Sequence, residues 1–155
     1  MRIAFDIDGV VLDMNLALLR AADLMGDKKT RDETNKYYYL SRKLQLNPLD
    51  FLAEEDELYL ITGRNRRYLE ITMNWKNKYF PKAKLILLDH VEPGNETIIE
   101  DWFIKQARLK ASVLRQENIA VYFEDTPEVV RELRKLVPNC LIIQYGGRGY
   151  DREIT

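Results

Sequence analysis

Short, nearly unbroken apolar runs alternate along this chain with longer stretches in which apolar residues recur at helical spacing. The runs are Ile3 to Ile7, Leu58 to Ile61, Leu85 to Leu88, Ile119 to Phe123 and Leu141 to Ile143. Each has the length of a strand. Their near-continuity, in place of strict alternation, marks strands buried on both faces of a parallel sheet. The helical stretches between them have readable ends. Thr97 with Glu100 forms a capping box ahead of a helix to about Glu117. Thr126 followed by Pro127 reads as an N-cap and first helical position, opening a helix to about Leu136. Arg66 to Lys78 supplies a third. Strands joined by right-handed helical crossovers predict an α/β chain: a three-layer α/β/α, Rossmann-like parallel sheet of about five strands.

One stretch breaks the rhythm. About fifty residues separate the first and second runs, more than a crossover needs. Residues 14–55 are read as a small helical insertion after strand 1. It is expected to carry one helix from Met14 to Met25, stopped at Gly26, and another opened by Thr30 with Glu33 and running to about Leu46. The insertion is expected to pack over the sheet's edge, leaving residues 1–155 as a single domain. Repeats and low-complexity tracts are missing from the sequence.

Composition narrows the classes. Of the 155 residues, 46% are hydrophobic and 32% charged, and 24 Lys and Arg nearly cancel 25 Asp and Glu. Such a balance projects no global field toward polynucleotides or an anionic membrane. The basic clusters at Arg64, Arg66 and Arg67 and from Lys76 to Lys84 are therefore expected to be solvated helix faces. A single cysteine, Cys140, excludes an intramolecular disulfide and a cysteine-based metal cluster; beside Leu141 to Ile143 it is expected to sit buried in a strand. Acids interrupt the N-terminal run before a signal-peptide core forms, and no apolar run nears the roughly 20 residues of a membrane span. A cytoplasmic location is the expectation.

Four places carry chemistry. Phe5-Asp6-Ile7-Asp8-Gly9-Val10 ends the first strand with two carboxylates and a glycine. The carboxyl ends of parallel strands open onto the crevice where such sheets bind ligands. A turn at Gly9 swings Asp8 back over the site of Asp6, so one carboxylate attacks phosphorus while the other handles protons. Leu60-Ile61-Thr62-Gly63-Arg64-Asn65 ends the second strand with a hydroxyl, a glycine and a helix start, an arrangement suited to phosphate oxygens. Tyr122-Phe123-Glu124-Asp125-Thr126-Pro127 ends the fourth with two adjacent acids, hard oxygen ligands that suit Mg²⁺. Finally, Ile99, Phe103, Ala107, Val113 and Leu114 define a sheet-facing helical arc, and Lys110 falls inside it, with Lys105 at its edge. A lysine on a buried face needs an anionic partner, and Asp6, Glu124, Asp125 and a phosphate are the candidates.

Taken together these motifs resemble the haloacid dehalogenase superfamily of phosphohydrolases, whose four motifs run here in order from Asp6 to Asp125. The resemblance implies that Asp6 is the nucleophile and forms an aspartyl-phosphate. Asp8 is then the acid that protonates the leaving group and the base that activates water, kept partly protonated by surrounding carboxylates. Thr62, Gly63 and Lys110 bind the phosphate. Mg²⁺ is held by Asp6, the Asp8 carbonyl and Asp125, with Glu124 behind. The presence of Asp8 argues against halide displacement and against ion pumping, and the small insertion, read as a cap, argues against the phosphomutases. Glu124 departs from the commoner paired aspartates.

The acidic fourth motif and the position of the insertion resemble the small 5'-nucleotidase-like members. The implied substrate is a small phosphorylated molecule, with nucleoside monophosphates first. Tyr37-Tyr38-Tyr39, near Arg31, Lys36, Arg42 and Lys43, offers rings for a nucleobase, although packing within the insertion is the plainer reading. The glycine-rich stretch Gln144 to Tyr150 is expected to be a flexible turn. Two rival functions are a non-catalytic phosphate- or nucleotide-binding module and a nucleic-acid end phosphatase. The intact Asp6 and Asp8 argue against the first, and the lack of a basic stripe against the second.

Overall fold

The computed structural model describes residues 1–14, 27–90 and 101–146. Five strands, β1 (Arg2–Asp6), β2 (Glu57–Thr62), β3 (Lys84–Leu87), β4 (Val121–Glu124) and β5 (Leu141–Gln144), form one sheet in the order β3-β2-β1-β4-β5. All four pairings are parallel. From β1 the chain steps outward through β2 to β3, then returns to the other side of β1 for β4 and β5. That reversal places a topological switch point between β1 and β4, where open α/β sheets bind ligands.

The helices are α1 (Lys28–Leu40), α2 (Leu69–Tyr79), α3 (Trp102–Gln116) and α4 (Pro127–Leu136). Alternation along β1 divides the core in two. Ala4 faces a cluster built with Ala107, Ala111 and Leu114 of α3 and Val129, Val130 and Leu133 of α4. Ile3 and Phe5 face the opposite cluster, with Val10, Val11, Leu46, Phe80 and, from α2, Trp75. There the Phe5 and Phe123 rings stack at 4.4 Å. Apolar burial on both faces is what the unbroken runs of β1, β2 and β4 encode. The outer strands are only partly covered, as the exposed Leu141 of β5 shows.

Several local expectations shift. Asp27, not Thr30, caps α1, its carboxylate accepting from the Thr30 N–H at 2.9 Å and the Thr30 hydroxyl at 2.8 Å. The same helix ends at Leu40, short of Leu46, because residues 43–46 are drawn into extended pairing with Val11 and Asp13. The predicted helix from Met14 to Met25 and the Thr97–Glu100 box fall largely or wholly outside the described residues, as does the tail beyond Gly146. The described α3 opens at Trp102, where the Asp101 carboxylate caps two N–H groups. Cys140 is half-buried in the turn before β5, because β5 is an edge strand. The basic clusters are mixed: Arg66 and Arg67 are exposed, while Arg64 and Lys76 are buried. Among the described residues no helix is long and apolar enough to cross a membrane.

Candidate active site

Asp6 closes β1 opposite Ile61, with Thr62 one residue beyond on β2 and Glu124 closing β4, so the three strand ends share one edge. Past Asp6 the chain makes a wide turn in which the Val11 and Leu12 N–H groups donate to the Asp6 and Ile7 carbonyls, five residues back. Gly9 sits in it at φ +92°, and a Cβ there would lie 2.2 Å from Asp125 Oδ2. Only glycine lets the Asp125 carboxylate rest against this turn. Gln45, at the return of the insertion, donates from Nε2 to the Gly9 carbonyl at 2.8 Å.

The centre is a buried cluster of one cation and three acids. Lys110 Nζ lies 2.5 Å from Glu124 Oε2 and 3.4 Å from Asp6 Oδ2. Glu124 is fully buried and also accepts from the Tyr122 hydroxyl at 2.9 Å and from the Asp125 and Thr126 N–H groups. Asp6 accepts from the Ile7 N–H at 3.0 Å. Burial pushes the Asp6 carboxyl well above the carboxylate range; Lys110 pulls it back while Glu124, Asp125 and Asp8 push it further. Burial, then the Glu124 charge, raises Asp125 to about 8. Glu124 itself is lowered: burial opposes ionisation, but Lys110 and the hydrogen bonds outweigh it. For Lys110, burial works against the cation, and Asp6 and Glu124 hold it above its ordinary range.

One lysine therefore faces three acids. Oxygen atoms of Asp6, Glu124 and Asp125 all fall within 4.8 Å of one another, a hard donor set that fits a divalent cation such as Mg²⁺. Glu124 already spends its oxygens on Lys110, Tyr122 and two N–H groups, which fits a place behind the ion.

The remaining expected residues divide. Thr62 is buried, and its Oγ1 accepts from the Arg64 N–H at 3.1 Å. It does not cap the next helix: Asn65 caps the 3₁₀ turn of Arg66–Tyr68 that precedes α2. Gly63 borders a polar cleft of about 260 Å³ with Asn65, Asp89, Gln106 and the exposed Lys105. Lys110, one helical turn beyond Gln106, is the lysine that reaches Asp6. Asp8 points elsewhere. Its carboxylate forks onto Arg64, Nε to Oδ2 and Nη2 to Oδ1 both at 2.8 Å, so its partner is a guanidinium and not the surrounding acids.

Arg64 is the functional candidate that sequence reasoning missed. It is 4% exposed, its Nη1 donates to Thr72 Oγ1 at 3.0 Å, and the Tyr39 ring covers it at 4.2 Å. Burial opposes its charge, but Asp8 more than offsets this and holds it above its ordinary range. Burial and the Asp8 charge push the Tyr39 hydroxyl up to about 12. The three tyrosines thus have separate fates: Tyr37 is exposed, Tyr38 is buried under Arg42 at 4.2 Å, and Tyr39 lies on Arg64. A buried arginine next to a strand-end glycine is ordinary in sequence; only the Arg64-Asp8 spacing across two strand ends carried a signal.

No family model and no curated protein matches this sequence. Solved structures do. A HAD family enzyme from Bacteroides thetaiotaomicron, an aspartate-to-alanine mutant in complex with magnesium and inorganic phosphate, aligns with a TM-score of 0.59 at 10% identity, over 99% of this chain and 98% of that one. A HAD-superfamily hydrolase of subfamily IA, variant 1, from Geobacter sulfurreducens aligns at 0.52 and 13% identity, over 93% and 86%. The HAD domain of effector protein Lem4 from Legionella pneumophila aligns more loosely, at 0.46 and 14% identity over 99% and 92%. The parallel five-stranded sheet, its order and the alignments with the Bacteroides and Geobacter structures give the chain the HAD (haloacid dehalogenase) fold.

Proposed function

We propose that this protein is a Mg²⁺-dependent phosphohydrolase that cleaves small phosphomonoesters by nucleophilic attack of Asp6. The observation that carries the reading is the convergence of Asp6, Lys110, Glu124 and Asp125 at the ends of β1 and β4, beside the buried hydroxyl of Thr62. Phosphoryl transfer asks for positioning and charge neutralisation, and this edge supplies both.

In the forward step an Asp6 carboxylate oxygen attacks phosphorus as the ester P–O bond breaks, giving an aspartyl-phosphate and an alcohol. Asp8 delivers the proton that the departing oxygen takes. Both Asp8 oxygens lie on Arg64 in this structure, so that delivery requires one contact of the fork to open. Water then attacks the same phosphorus, Asp8 receives its proton, and Asp6 is regenerated with release of inorganic phosphate. Lys110 and the Thr62 hydroxyl hold phosphoryl oxygens through both steps, with the Gly63 backbone beside them. Asp6, the Asp8 carbonyl and Asp125 would hold Mg²⁺, which when bound offsets the repulsion between a carboxylate and an anionic phosphate.

The near-cancelling charges, with no basic stripe for a polynucleotide, favour a small substrate. The nucleotidase reading rests on the acidic fourth motif and the position of the insertion. Of the three tyrosines, Tyr37 alone presents a largely exposed ring. The test is phosphate release from p-nitrophenyl phosphate with Mg²⁺ and with chelator, for the native chain and Asp6→Asn. Release that needs the metal and vanishes in Asp6→Asn is expected. Release that persists in chelator or in Asp6→Asn overturns the reading, and a folded, metal-loaded protein that only shifts its melting point with phosphate supports the binding-module alternative.

A further inference from the structure

A chain of contacts links the insertion to Asp8, and none of its members is a nucleophile or a phosphate ligand. It starts on α1, where the Tyr39 ring lies on the Arg64 guanidinium at 4.2 Å and edge-on to Tyr68 at 4.8 Å. Arg64 follows the strand-end Thr62-Gly63 pair. All three guanidinium nitrogens are committed: Nε and Nη2 to the two oxygens of Asp8, Nη1 to Thr72 of α2, whose hydroxyl in turn donates to the Tyr68 carbonyl at 2.8 Å. A second, exposed tie runs beside it, from Arg67 Nη1 to Asp32 Oδ1 of α1 at 2.6 Å. The two ends of the fork differ in their exposure. The Arg64 side chain is 2% exposed and the Asp8 side chain 20%. The guanidinium is thus the fixed member, and Asp8 is the member free to face incoming substrate.

A bidentate fork fixes both the position and the rotation of a carboxylate, which a lysine or a single hydrogen bond does not do. An aromatic face over a desolvated guanidinium adds attraction and excludes the water that would otherwise loosen the fork. We infer that Arg64 is a positioning residue that, through the contact it keeps when the other opens, sets the orientation of Asp8 for proton transfer to the leaving group, and that Tyr39 makes this orientation depend on where α1 sits. The inference rests on the role given to Asp8 above. It assigns the third tyrosine of the insertion a place in the reaction in which it touches no substrate.

Leaving-group dependence separates this role from a merely structural one. A good leaving group such as 2,4-dinitrophenolate departs without a proton, whereas phenolate needs one, and kcat/KM reports the step in which the ester bond breaks. The experiment compares kcat/KM for the two aryl phosphates in the native chain, Asp6→Asn, Asp8→Asn, Arg64→Lys, Tyr39→Phe and Tyr39→Leu. Arg64→Lys keeps the charge and protects against a folding failure. It is expected to lose about tenfold or more on phenyl phosphate and much less on the dinitrophenyl ester, the pattern of impaired general-acid catalysis. Tyr39→Leu follows with a smaller loss of the same form, and Tyr39→Phe behaves as the native chain.

Equal losses on both esters in Arg64→Lys overturn the positioning role, and a native-like Tyr39→Leu overturns the link to the insertion. Either result leaves the proposed function standing as long as Asp6→Asn is dead and Asp8→Asn discriminates between the esters. A flat Asp8→Asn speaks against the function assigned to Asp8 itself. A second measurement needs no turnover: denaturant unfolding of Tyr39→Leu, Arg64→Lys and the double variant. The double is expected to shift the midpoint by less than the sum of the singles. Additive shifts overturn the link whatever the activity shows.

Discussion

Replacing Lys110 by methionine removes the only cation among the described residues of a cluster of three buried acids, and its cost follows from the contacts left behind. Lys110 is 5% exposed, Asp6 8% and Glu124 0%, so none of the partners can turn to water. Removing one member of a buried ion pair typically costs about 3–5 kcal/mol. Here the lower end applies, because Glu124 keeps the Tyr122 hydroxyl and two N–H donors, and Asp6 keeps the Ile7 N–H. For a chain of this size about 3 kcal/mol corresponds to a fall in melting temperature of about 6–12 °C. The loss also depends on pH. Asp6 is already raised well above its ordinary value by burial, with the Lys110 charge holding it down. Without Lys110 the folded carboxyl keeps its proton to still higher pH. A group raised in the folded state favours folding below its unfolded value and loses that contribution as pH climbs through the folded one. The gap between Lys110→Met and the native chain should therefore widen as pH climbs through the native folded value of Asp6, measured by metal-free thermal and denaturant unfolding. Adding Glu124→Gln removes the second charge of the pair and should recover part of the loss. A variant within about 1 kcal/mol of native at pH 8, or a gap indifferent to pH, would refute the electrostatic reasoning.

Three further outcomes follow. Gly9→Ala forces a left-handed φ of +92° on a residue whose Cβ would meet Asp125 Oδ2 at 2.2 Å, so it should lose about 1–3 kcal/mol and weaken Mg²⁺ binding, both read from melts with and without the metal. Asp125 is raised to about 8, so the metal-free protein loses stability as pH rises from the ordinary carboxylate range to about 8. Mg²⁺ displaces that proton, and the metal-induced rise in melting temperature should grow over the same interval when followed by differential scanning fluorimetry. Asp101→Ala removes the cap of α3 and should cost about 1 kcal/mol in denaturant unfolding, while p-nitrophenyl phosphate hydrolysis stays near native because the cap lies far along the helix from Lys110.

Apolar continuity revealed β1, β2 and β4 because a strand covered on both faces has no polar side to interrupt it. The same logic located Lys110: a charge inside an apolar arc is anomalous, and its position on the helix points it at the sheet. What the sequence hid was of two kinds. Helix ends depended on which of several nearby polar residues captured the free N–H groups: Asp27 caps α1 where Thr30 had equally plausible spacing, and Asp101 caps the described start of α3. The Asp8–Arg64–Tyr39 chain joins three segments through contacts made only after folding. Local composition presented Arg64 as one of three neighbouring arginines on a solvated face. Its burial is set by Asp8 and Tyr39, fifty-six and twenty-five positions away in the chain.

The most direct test of the central claim is chemical identification of the attacking carboxylate. Protein mixed with Mg²⁺ and an aryl phosphate is quenched during turnover and reduced with borohydride, which converts an acyl phosphate to an alcohol, and the tryptic peptide spanning 3–20 is then sequenced by mass spectrometry. Homoserine in place of Asp6, present only with substrate and metal, is the expected result. Steady turnover with Asp6 unmodified, or reduction at Asp8 instead, would contradict it.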